Sequence, residues 1–253
     1  MKLTLPVFAL ALLATAARAE TPYQMYVAGR FAEAERTALA ENDAEGYALA
    51  ARSELAAETM RPEPCWPCLE RAKTMAERAI GLDPRLAEAR IEFVVALGYE
   101  ARLMGELEAH FKGFAEKAKN NIDAAIADEP TNAWAWAALG GWNIEIAHDA
   151  GSALARWLYG ASLRGGLADF SKAFAAAPDN LVLRFQYALS LGSTNPTVYR
   201  DTIIDALARA AQDTPQSAFE IYAQKSARDL LAALKARDMP SFNRLVRHDQ
   251  GYP

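Results

Sequence analysis

Apolar residues along this chain recur at helical rather than strand spacing. The clearest run is residues 118–145, AKNNIDAAIADEPTNAWAWAALGGWNIE. Ala118, Ile122 and Ala125 fall on one helical stripe that ends at Asp128-Glu129-Pro130, and a second run follows with Trp134, Trp136, Leu139, Gly140 and Trp142. The same punctuation recurs at Pro84, Pro130, Pro178 and Pro215, each placed after a helical run. The positions twelve, eight and five before each proline hold Ala72, Ala76 and Ala79; Ala118, Ile122 and Ala125; Gly166, Phe170 and Ala173; Ile203, Leu207 and Ala210. Alanine fills the third slot every time. Small residues there let neighbouring helices approach closely, so the pattern predicts stacked helical hairpins.

Outside this register, residues 23–42 and 43–60 read as helical. Pro62 and Pro64 then break the run, and a further helix is expected from Cys65 to Gly81. The four prolines are separated by 46, 48 and 37 residues, against the ~34 of a standard tetratricopeptide repeat. The surplus of the first two units is placed at residues 99–117 and 148–165, which read as lengthened helices broken by glycines. Residues 240–253 read as a short capping helix with a frayed tail. No Gly/Ser linker divides the chain, so one domain is expected over residues 20–253.

The register resembles that of tetratricopeptide repeat (TPR) proteins, including secreted bacterial ones. The fold class this implies is all-α, a TPR-like helical-hairpin solenoid with elongated helices. Residues 118–180 also resemble the TPR-like region of the regulator-of-microtubule-dynamics family, through AKNNIDAAI, GGWNIEIA, ALARWLYGASL and FSKAFAAAPDN in that order. Of that family's GRW-type motif, Gly141, Trp142 and Glu145 match. The resemblance implies a compact α-solenoid of this shape. The family's anchor and coiled-coil segments have no counterpart, so its microtubule activity is not carried over.

Composition changes the picture at the N-terminus. Residues 1–19, MKLTLPVFALALLATAARA, combine Lys2, an apolar run from Leu3 to Ala14 and an Ala17-Arg18-Ala19 site. That is the design of a signal peptide, and it predicts a periplasmic protein with no membrane span after cleavage. Removal of Lys2 and Arg18 from the 27 basic residues leaves 25 against 32 acidic ones, a formal charge of −7. An acidic chain without a basic block gives little attraction to nucleic acid.

Cys65-Trp66-Pro67-Cys68 at the start of a predicted helix is the sharpest chemical signal. A helix N-terminus stabilises a thiolate, so redox chemistry is one reading. A structural disulfide in an oxidising compartment is another, contributing about 2 kcal/mol for so short a loop. Metal binding is a third, although two cysteines supply half a tetrahedral zinc shell. His110, His148 and His248 stand alone in sequence. There is no His-Glu-x-x-His and no Gly-x-x-x-x-Gly-Lys loop, and Gly160–Gly165 misses the Gly-x-Ser-x-Gly elbow by one residue. Glu106 and Glu108 read as solvated helix surface. No enzyme activity and no cofactor are expected.

The TPR resemblance places a groove on the first helix of each unit. Its candidate lining includes Tyr99, Trp134, Asn143, Glu145 and Phe185, apolar with few charges. Such a face suits an apolar small molecule or the amphipathic helix of an envelope protein. The alternative is that these positions are core. Asn143 and Glu145, polar in an apolar run, need partners if buried. The function expected is a non-catalytic binding or scaffolding module. A solute-binding accessory of a transport system and a thiol-redox factor are the alternatives.

Overall fold

A computed structural model describes residues 19–253. The leader expected over residues 1–19 therefore lies, but for Ala19, outside the described residues. Among those described, the chain forms fourteen helices and no strand: α1 (Pro22–Val27), α2 (Phe31–Glu41), α3 (Ala44–Thr59), α4 (Trp66–Leu82), α5 (Ala87–Met104), α6 (Glu106–Phe111), α7 (Phe114–Asp128), α8 (Ala133–Asp149), α9 (Ser152–Tyr159), α10 (Leu163–Ala176), α11 (Leu181–Thr194), α12 (Arg200–Gln212), α13 (Ala218–Lys235) and α14 (Met239–Asp249). The fold is all-α, as the spacing predicts. Residues 23–42, read as one helical stretch, are divided into α1 and α2 at Gly29, whose φ of +79° no right-handed helix accommodates.

The proline register is visible as structure. All twelve residues in the slots before Pro84, Pro130, Pro178 and Pro215 are buried. Each of these prolines lies in the turn between two antiparallel neighbours: α4 and α5, α7 and α8, α10 and α11, α12 and α13. Three of the turns share a latch. The side chain six residues after the proline donates to the proline carbonyl: Arg90 Nη2 to Pro84 at 2.6 Å, Trp136 Nε1 to Pro130 at 2.8 Å, and Arg184 to Pro178. Asn132 and Asn180 cap α8 and α11 in the same way, each side-chain oxygen accepting two backbone N–H groups at 3.0–3.1 Å.

Helix α8 sits at the centre. Its Ala137 and Ile144 belong to a core built with α10 to α14, while its Trp142 and Ala147 belong to a second core built with α2 to α5, α7 and α9. A helix apolar on several sides is a buried one. Its contact with α10 is the tightest in the molecule's centre. A Cβ at Gly166 would stand 2.6 Å from Ile144 Cγ1 and 2.7 Å from the Gly140 carbonyl oxygen, so glycine alone fits.

The two surplus segments become α6 and α9, short helices bracketed by Gly105 and Gly113 and by Gly151 and Gly160, all at positive φ. The chain also closes on itself. Helix α1 packs on α13, and α14 packs on α11 and α13, with Phe242 and Val246 of α14 covering Gly192 of α11.

Charged groups are buried in pairs. Lys73 of α4 donates to both carboxylate oxygens of Glu100 of α5, at 2.5 and 2.6 Å. Arg52 of α3 bridges Glu88 and Glu92 of α5 at 3.0 and 3.1 Å. Burial pushes the Glu92 carboxyl from 4.5 up to about 7, against the opposing pull of Arg52. The folded chain therefore holds this proton more tightly than the unfolded chain does. The stabilisation is complete below about pH 4.5 and is lost as pH rises through 7. Glu92→Gln is expected to flatten this part of the stability profile in denaturant titrations between pH 4.5 and 8. An unaltered slope would assign it to other groups.

Candidate functional site

The five residues expected in the groove divide among four environments. Phe185 is wholly buried in the core under α14. Trp134, in the first turn of α8, is 37% exposed. Asn143 and Glu145 do not meet each other, because positions two apart on a helix point to opposite sides. The Asn143 amide donates to Asp169 Oδ2 of α10 at 3.0 Å, and its oxygen accepts the Ser162 N–H at 3.1 Å. That satisfied residue is a bolt between α8 and α10. Glu145 faces the other way and pairs with Arg102 of α5.

Arg102, Tyr99 and Glu145 come together, and the C-terminal residues cover Arg102 and Tyr99. Arg102 Nη1 donates to the Gln250 carbonyl at 3.3 Å, and its guanidinium lies about 6 Å from the centres of both the Tyr99 and Tyr252 rings. Burial works against the charge on Arg102, but Glu145 more than offsets it, so the guanidinium is held protonated more firmly than usual. Gly251 packs so closely on the Tyr99 ring that a Cβ there would stand 2.2 Å from Cδ1. The expected frayed tail is thus a correction: residues 250–252 are buried or half-buried against α5. The chain's own C-terminus thus covers Tyr99 and Arg102, the partner of Glu145.

A hydroxyl network continues from there. The Thr59 hydroxyl donates to the Leu55 carbonyl at 2.9 Å, which leaves the Tyr99 hydroxyl to donate to Thr59 Oγ1 at 2.7 Å. The Tyr222 hydroxyl lies 2.8 Å from Asp249 Oδ1 and 3.1 Å from the Thr59 carbonyl. Burial, then the Asp249 charge, pushes the Tyr222 phenol well above its ordinary value. These residues join α3, α5, α13 and α14. Sequence reasoning missed Arg102, Tyr222 and Asp249, since partners so distant in sequence leave no local pattern.

Next to this network lies the Cys65–Cys68 disulfide, at the N-terminus of α4. Cys65 is half-buried and Cys68 buried. The Glu58 carboxylate approaches from the end of α3. It accepts the Cys65 N–H at 2.7 Å, pairs with Arg61 at 3.1 Å, and offers an oxygen within 4.8 Å of both sulfurs. Glu58 is 5% exposed. Burial raises its carboxyl above the usual range despite the Cys65 N–H and Arg61. A depression of about 20 Å³, room for one water, opens beside it, lined by Glu58, Thr59, Tyr99, His248 and Tyr252 among others. A wider notch of about 320 Å³ lies between the turn at Pro178 and the turn holding Thr214 and Gln216. Neither depression is lined by Trp134, Asn143, Glu145 or Phe185.

The third feature faces solvent. On α9, Leu154, Trp157 and Leu158 form an i, i+3, i+4 stripe, and on α6, Leu107 and Phe111 form an i, i+4 stripe. Such stripes normally pack inward. Here Phe111 and Trp157 are each 80% exposed, Leu107 is 72% exposed, and α9 is held to the core by buried Ala155 and half-buried Tyr159. His110 of α6 and Tyr159 of α9 are joined at 2.7 Å between Nδ1 and the hydroxyl, which links the two helices. The signal for this surface was present in ALARWLY, whose apolar residues share one helical side.

No described helix is long and apolar enough to cross a membrane. Compared with known proteins, the chain matches no family model and no curated protein.

Proposed function

We propose that this protein is an exported binding or scaffolding module of TPR type, and that it captures an envelope protein partner through α6 and α9. The observation that carries this reading is the pair of outward apolar stripes, Leu107 with Phe111 and Leu154 with Trp157 and Leu158. They stand on the two segments by which the chain exceeds a standard repeat register. Aromatic residues in exposed apolar patches are the usual anchors of protein interfaces. The polar rim favours a protein over a lipid surface. A lipid-seeking helix carries a basic polar face, whereas Lys112 of this rim is matched by Glu108 at 2.8 Å. The tail covers Tyr99 and Arg102, which removes the room an apolar solute needs there.

The test is co-purification and crosslinking from an envelope fraction, with the wild-type chain and a Phe111→Asp/Trp157→Asp variant as baits. The variant is expected to lose the partner by roughly thirtyfold, equivalent to ~2 kcal/mol, as for paired aromatic anchors. Its folding stability should stay within about 0.5 kcal/mol of wild type, because both side chains are solvated. Full retention of the partner by the variant, or binding to anionic vesicles in place of any protein, would overturn the reading.

A further inference from the structure

We propose that Cys65 and Cys68, with Glu58 as their proton-transfer group, form a thiol–disulfide exchange site that oxidises an accessible dithiol. Three observations converge on it. The two residues are unequally buried, Cys65 half-buried and Cys68 buried, which makes Cys65 the one open to an incoming thiolate and Cys68 the leaving group. The pair stands at the N-terminus of the 17-residue helix α4, whose first N–H groups and dipole stabilise a thiolate. A carboxyl otherwise sealed from solvent presents an oxygen within 4.8 Å of both sulfurs.

The step balances as follows. A substrate thiol ionises to solvent and its thiolate attacks Cys65 Sγ, forming a mixed disulfide while the Cys65–Cys68 bond breaks. The Cys68 thiolate takes a proton from the Glu58 carboxyl. The second substrate thiol gives its proton back to the Glu58 carboxylate and attacks the substrate sulfur of the mixed disulfide. Cys65 leaves as a thiolate held by the α4 N-terminus. Two electrons have then passed from the dithiol to the Cys65–Cys68 pair, and the substrate carries a disulfide. The reverse sequence with a disulfide-bearing acceptor restores the starting state. The adjoining depression holds about one water, so the substrate is engaged at the surface and not enclosed.

The groups that face Glu58 are few. Arg61 pairs with it at 3.1 Å, Glu54 lies one turn earlier on α3, and Tyr99, His248 and Tyr252 line the same depression. The test uses the purified protein and two probes, dithiothreitol and a reduced linear peptide with two cysteines, followed by acid quench, alkylation and mass spectrometry between pH 5 and 9. Dithiothreitol oxidation is expected to be roughly tenfold faster than with oxidised glutathione as the disulfide. Its rate should stay above the line set by thiol ionisation alone at pH values where Glu58 is protonated. Glu58→Gln keeps an acceptor for the Cys65 N–H; it should slow the reaction about tenfold or more at the acid end of the range and return the profile to that line. Cys68→Ser, which has no internal disulfide, should take up one glutathione on Cys65 from oxidised glutathione, releasing reduced glutathione, and hold that mixed disulfide. A faster reaction with the peptide than with dithiothreitol identifies a polypeptide source for the thiols, and the opposite order a small-molecule one. A wild-type rate no greater than that of oxidised glutathione would overturn the proposal, as would a wild-type profile that follows thiol ionisation alone. The latter readout needs no variant to fold. A Glu58→Gln protein that folds and matches wild type in rate and profile would overturn the role of Glu58.

Discussion

Trp142→Ala is expected to destabilise the protein by about 3–5 kcal/mol, the cost of removing a buried aromatic side chain together with the cavity it leaves. Trp142 is 8% exposed and lies on the face of α8 that turns towards α7 and α9. Its Nε1 donates to the Ala115 carbonyl at 3.0 Å, its ring meets the edge of Tyr159 at 6.4 Å, and Lys119 lies over it. The loss therefore reaches both neighbours of α8. Trp142→Phe separates the contributions: most of the packing survives, and the missing donor should cost about 1 kcal/mol. Urea titration monitored by circular dichroism reads both values. A loss below about 1 kcal/mol for the alanine variant would mean that α7 and α9 hold to α8 without this side chain.

The second large effect is expected from Lys73→Met. Glu100 is fully buried on α5, and both of its oxygens are satisfied by the Lys73 ammonium. Removing one partner of a buried pair leaves an uncompensated charge, which costs about 3–5 kcal/mol. Adding Glu100→Leu to that variant should restore most of the loss, because the pair's mutual attraction roughly balances its desolvation. The double-mutant cycle is the decisive measurement. If Lys73→Met alone costs less than about 1 kcal/mol, solvent reaches the carboxylate and the site is not a buried one.

Much of this fold was legible in the sequence because it rests on local repetition. The slots counted back from Pro84, Pro130, Pro178 and Pro215 name residues that are all buried, and the glycine-rich surplus segments are where the short helices α6 and α9 lie. Periodicity identifies which residues share a helix face. It does not say which way that face points. The stripe of Leu154, Trp157 and Leu158 was therefore readable as a stripe, but not as one turned outward. The C-terminal tail was misread for the opposite reason. His-Asp-Gln-Gly-Tyr-Pro has the composition of a frayed end, yet Gln250 and Tyr252 find Arg102 across 148 and 150 positions of chain. Likewise nothing in the segment around Glu58 announces that its carboxylate will cap the helix carrying Cys65.

The covering of Tyr99 and Arg102 by the tail that follows α14 bears on how the molecule comes apart. A stack of hairpins whose units touch only their neighbours frays from its ends, and its stability is a sum along one dimension. Here the last helix is tied to α3 through Tyr222 and Thr59, to α5 through Gln250 and Arg102, and to α11 through Phe242 and Gly192. The final segment cannot open without exposing the middle of the chain. Its backbone amides therefore share the opening free energy of the centre, and the two ends and the middle behave as one cooperative unit.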